Sequence, residues 1–179
     1  MRLIFLSLTS FLIFTAFVMY NKPQSYHPSE AEQQVNKILS IAASIIKNKY
    51  DLNLCGVGAS MPGGPIQRLT LCFTTKRPHT QDELRKLLIQ CSQELLSQVD
   101  LNQDIQAFLK YRPFTIKNIH IEIYNHDRSG RTVHDPQIST ADISRGVLTY
   151  LTIDPDDTFK YKNECTETYE EAVKLTSTQ

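Results

Sequence analysis

Five histidines and four cysteines are the residues of this sequence best suited to chemistry, and they suggest two places where it could happen. The first is the stretch His126-Asp127, Arg128-Ser129-Gly130-Arg131, His134-Asp135. A turn about Gly130 predicts His126 beside His134. Two imidazoles with Asp127 and Asp135 make a nitrogen and oxygen donor set of the kind that binds a divalent metal. His120 and Glu122 add a polar pair on the strand before it, so that His120, Glu122, His126 and His134 together would serve a metal-dependent hydrolytic enzyme. The spacing matches no established metal motif. A solvated loop whose Asp, Ser, Gly and Arg simply make turns accounts for the same residues and is the preferred reading.

The second place is a pair of cysteines. Cys55, Cys72, Cys91 and Cys165 show no C-x-x-C spacing, which excludes a zinc ribbon or a thioredoxin-type redox pair. A hairpin turning symmetrically about Gly63 and Gly64 would set Cys55 opposite Cys72, and an oxidising compartment would then permit a cross-strand disulfide. Two small side chains that merely pack remain the alternative. Cys91 and Cys165 fall on apolar helical stripes and are expected in the core.

Other chemistry finds no support. There is no G-x-S-x-G elbow and no Cys-His signature for a nucleophile. Gly56-Val57-Gly58 and Gly63-Gly64 are followed by no G-K-[ST], and Asp154, Asp156 and Asp157 lack calcium-loop spacing. No catalytic residue, metal or cofactor is therefore assigned. Lys plus Arg and Asp plus Glu number 19 each, and this balance argues against nucleic acid as a partner.

The elements that must position these groups follow from periodicity. Ser29 with Glu32 reads as a capping box, and Val35, Ile38, Leu39, Ala42, Ile45 and Ile46 continue it as an amphipathic helix to about Lys49. Strands are expected over 52–59 and 68–75, joined by the turn Ser60-Met61-Pro62-Gly63-Gly64-Pro65. Thr80 with Glu83 opens a second helix bearing Leu84, Leu87, Leu88, Cys91, Leu95 and Val99, and a short helix is expected over 104–109. Ile119, Ile121 and Ile123 mark a strand over about 115–124, and 146–154 another. Between them 125–145 reads mostly as loop, with 138–144 as a further strand candidate. A last helix is expected over 165–175. The order α-β-β-α-β-β-α implies a two-layer α+β domain over 29–175, with about four antiparallel strands and helices on one face. Residues 176–179 form a tail.

Before the domain, residues 3–20 carry no charge, and as a helix they would measure about 27 Å, close to a bilayer core. Arg2 precedes the run. A transmembrane signal anchor over 1–20 is expected, with 21–28 as a linker; no A-x-A cleavage pattern occurs, and a cleaved signal is the alternative.

Tyr111-Arg-Pro-Phe-Thr-Ile-Lys-Asn-Ile-His-Ile-Glu-Ile123, together with Gly56-Val57-Gly58, the Met61 turn and Tyr169-Glu170-Glu171-Ala172, resembles uncharacterised membrane-anchored proteins of chlamydia-like intracellular bacteria. The likeness covers most of the chain after Tyr50 and lies in packing and turn residues. It implies a bacterial cell envelope, with the globular part on the periplasmic side of the inner membrane. The expected function is a single-span envelope binding or scaffold module without catalysis, its partners being the membrane through 3–20 and another envelope protein. The hydrolytic enzyme above is the rival.

Overall fold

The computed structural model describes residues 26–177. The segment expected to enter a membrane lies outside these residues, and among the described residues no helix is long and apolar enough to cross one. Helix α1 runs from Glu30 to Tyr50. Its capping box forms as the sequence dictates: the Ser29 amide donates to Glu32 Oε2 at 2.7 Å and the Glu32 amide to Ser29 Oγ at 3.3 Å. Its buried stripe includes Val35, Ile38, Leu39, Ala42, Ala43 and Ile46. Strands β1 (Asn53–Ser60) and β2 (Arg68–Thr74) follow, then helix α2 (Gln81–Leu101) behind the Thr80–Glu83 box. A one-turn helix α3 (Gln103–Gln106) and a 3₁₀ turn (Ile116–Asn118) lead into β3 (Ile119–Tyr124). Then come β4 (Thr140–Ser144), β5 (Val147–Ile153), β6 (Tyr161–Thr168) and helix α4 (Tyr169–Ser177).

Among the described residues six strands form one mixed sheet in the order β1-β2-β3-β4-β5-β6, which corrects the expectation of about four antiparallel strands. Neighbours are antiparallel except β2 and β3, which run parallel with Leu69 beside Ile119 and Phe73 beside Ile123. The reason is connectivity. Helix α2 carries the chain back along the sheet, so β3 re-enters in the same direction as β2. The strand candidate before Arg145 is β4, joined to β5 by a two-residue turn. Arg145 and Gly146 have φ of 54° and 83°, the left-handed pair that matches strand twist in a tight hairpin.

β6 occupies the stretch in which the last helix was expected to start, so that helix begins at Tyr169 and Cys165 is an exposed strand residue instead of a core one. The strand lies at the sheet edge and six successive residues from Tyr161 to Thr166 are exposed, so no apolar alternation announces it.

The helices cover one side of the sheet. Leu69, Leu71, Phe73, Ile119, Ile121, Ile123, Ile143, Leu148 and Tyr150 are buried against them, with α1 over β1 and β2, α2 over β3 to β5, and α4 over β5 and β6. The other side, bearing Cys72, His120, Glu122, Tyr124 and Asp142, has no helix on it among the described residues.

Candidate functional site

On the uncovered face the ladder brings ionisable groups together that are remote in sequence. Cys72 pairs with Glu122 across β2 and β3, and Glu122 with Asp142 across β3 and β4. Directly paired residues of neighbouring strands share a face, so all three lie on the same side. The Cys72 thiol donates to Glu122 Oε2 at 3.6 Å. His120 Nε2 lies 3.8 Å from Asp142 Oδ1, with each side chain about three-quarters or more shielded from water.

Burial, then the nearby Glu122 and Glu164 carboxylates, push the Asp142 carboxyl up to about 6. Burial and Glu122 likewise push the Cys72 thiol up to about 12. Burial and its hydrogen bond to Glu122 bring the Tyr124 phenol to about 12. His120 is lowered, chiefly by burial. Thiol and phenol are thus held protonated at neutral pH and act as hydrogen-bond donors; a nucleophilic cysteine needs the opposite shift. Sequence reasoning singled out His120 and Glu122 but missed Asp142. Its only signal was its place in a strand candidate that periodicity left weak.

The loop candidates lie elsewhere. His126 bridges to Thr132, not to His134, because the turn is tight: the Asp127 amide donates to the Arg131 carbonyl at 2.8 Å. Asp127 Oδ1 accepts from Ser129 N, Ser129 Oγ and Arg131 N at 2.8, 2.6 and 3.0 Å. The Ser129 hydroxyl, followed by the Arg131 amide, holds this carboxyl well below the usual carboxylate range. Asp135 accepts instead from Lys162 Nζ at 3.0 Å, Asn163 Nδ2 at 2.7 Å and Thr152 Oγ1 at 3.0 Å, and Lys162 is the main cause of its lowered pKa. One carboxylate closes its own turn; the other ties the loop to β5 and β6.

Among the described residues no group of three or more His, Cys, Asp or Glu could hold a metal ion. The four histidine and carboxylate positions His120, Glu122, His126 and His134 therefore do not make one site.

The hairpin about Gly63 and Gly64 keeps its symmetric register only near its open end, where Leu54 pairs with Phe73. A bulge at Cys55 then shifts the ladder so that Gly56 stands opposite Cys72. A Cβ added at Gly56 would lie 3.3 Å from Cys72 Cβ, so the glycine leaves room for the thiol. Both sulfurs are free thiols in this structure.

The two sheet edges differ. β6 carries Lys162, Glu164 and Glu167, and charges on an edge discourage pairing with another chain. β1, Asn-Leu-Cys-Gly-Val-Gly-Ala-Ser, has no charge in eight residues. Its Leu54 and Val57 are 42% and 55% exposed.

Among the described residues these features define a two-layer α+β domain with one bare sheet face and one edge without charge. No family model, curated protein or solved structure matches the chain.

Proposed function

We propose that this domain is a binding module without catalysis, which takes an extended segment of a second protein along the free edge of β1. The edge asymmetry carries the reading. An edge strand offers a row of outward amides and carbonyls, and β-strand addition uses them for affinity while side-chain contacts supply specificity. Leu54 and Val57 pair with the buried Phe73 and Leu71, so both lie on the helix-side face, and their exposed surface would meet alternate side chains of the incoming strand. β6 shows how this sheet guards an edge with charge, and β1 lacks that guard. Delivery to a membrane by residues 3–20, with the domain on the periplasmic side and an envelope protein as partner, is part of the proposal and rests on the sequence.

A photo-crosslinking amino acid placed at Val57 of the full chain, in the cells that make it, should give one discrete adduct with a second protein. The same group at Lys162 on the other edge should give none, and Gly58→Lys should abolish the Val57 adduct. Equal adducts from both edges, or an adduct whose mass is twice that of this chain, would overturn the proposal.

A further inference from the structure

A cleft of about 660 Å³ opens at the end of the sheet where β2 begins and β4 turns into β5. Three cations line it: Arg68 at the start of β2, Lys117 on the 3₁₀ turn and Arg145 in the β4–β5 hairpin. Among the described residues no carboxylate lines it and no ion pair includes any of the three.

The arrangement is held from several sides. Thr115 and Asn118 lock the 3₁₀ turn, the Thr115 amide donating to Asn118 Oδ1 at 2.9 Å, while Asn118 Nδ2 reaches the Gln67 carbonyl at 3.5 Å. The hairpin lies against the same turn: a Cβ added at Gly146 would sit 3.7 Å from Lys117 Cγ. Lys117 and Arg145 are thus brought together by packed backbone, although like charges repel. Arg68 Nε is buried and has no protein acceptor, a donor that folding has removed from water without pairing. Ser60 and Thr115 add hydroxyls to the lining, and Tyr111 adds a half-exposed ring.

We propose that this cleft binds a soluble phosphorylated small molecule, with the phosphate held by Arg68, Lys117 and Arg145. Guanidinium groups offer planar forks that match oxyanions, and a lysine adds a point charge beside them. Three cations suit a dianionic phosphate better than a single carboxylate. The cleft has room for more than the phosphate, and Tyr111 offers a flat surface to the rest of the ligand.

The test is calorimetric titration of the full chain, in neutral detergent micelles, with inorganic pyrophosphate. Saturable one-site binding is expected. Arg68→Gln should weaken it about tenfold or more, and Lys117→Gln and Arg145→Gln each by about fivefold. Lys47→Gln, an exposed cation on α1, should leave it unchanged. Lys117 and Arg145 are exposed, so their variants keep the test valid even where Arg68→Gln fails to fold. Absence of binding up to about ten millimolar pyrophosphate, about 3 kcal/mol on the affinity scale, or equal weakening by Lys47→Gln, would overturn the assignment. Binding seen only when the phosphate is a lipid headgroup, supplied as phosphatidic acid doped into the micelles, would overturn the choice of a soluble ligand.

Discussion

Replacing Asp142 by Asn should make the protein more stable at neutral pH and leave it unchanged in acid. Asp142 faces Glu122 across the ladder, its side chain is 20% exposed, and burial with Glu122 and Glu164 moves its carboxyl from an ordinary 3.8 to about 6. The folded protein therefore prefers the neutral acid. Below pH 3.8 both folded and unfolded chains carry it neutral, and it costs nothing. Between 3.8 and about 6 the unfolded chain ionises while the folded one resists, so stability falls; above 6 the loss is complete. The full interval corresponds to about 3 kcal/mol, which partial contact with water reduces to about 1.5 kcal/mol. Asn cannot ionise and escapes that loss. Urea denaturation of both forms at intervals from pH 3.5 to 8 should give a stability difference near zero at the acid end, growing to about 1.5 kcal/mol in favour of Asp142→Asn. The carboxylates held low by hydrogen bonds, such as Glu83 at about 2, lose their contribution in acid equally in both forms and cancel. A difference that stays constant across this range, or an Asn variant that is weaker at pH 8, would refute the reasoning. So would a carboxyl carbon resonance of Asp142 that titrates near 4.

Asn125 is fully buried, accepts from the His79 amide at 2.9 Å and donates to the His79 and Ile138 carbonyls at 2.9 and 2.7 Å. Asn125→Ala should cost about 3 kcal/mol in chemical denaturation, because it strands these buried backbone groups. Arg85 bonds Glu167 at 2.7 Å, and Tyr150 donates to the same carboxylate oxygen at 2.5 Å, all near the core. Arg85→Ala should therefore destabilise by about 3 kcal/mol, and adding Glu167→Gln should restore part of it by removing the unpaired charge. Alkylation of the native protein at pH 8, followed by mass spectrometry, should modify the exposed Cys165 first. Cys91, fully buried and held far above the usual thiol range by that burial, should react at least about 100-fold more slowly until the chain unfolds.

Where the local chain and its burial agree, the sequence was easily legible. Both capping boxes, the stripe from Leu84 to Val99 and the alternation of Leu69, Leu71 and Phe73 follow from one helical period or one strand period facing a single core. β6 was not legible, because an edge strand exposed along most of its length has no such face to reveal. Cys165 was read as a helical core residue for the same reason. The approach of His126 to His134 assumed a turn centred on Gly130, whereas His126 pairs with Thr132 in a turn that Asp127 closes through its own side chain.

Taken alone, then, the sequence determined that helices and strands would pack in two layers, where most of them lie, and which side chains face the core. Tertiary structure decided what the remaining side chains can do. Ladder register brings Cys72, Glu122 and Asp142 into line, connectivity through α2 makes β2 and β3 parallel, and a hairpin packed on a 3₁₀ turn gathers Arg68, Lys117 and Arg145 around one cleft. Periodicity records how each residue stands relative to its own element, but proximity between residues as distant in sequence as Arg68 and Arg145 depends on which strand edges meet, and that is set only when all the elements compete for the same core.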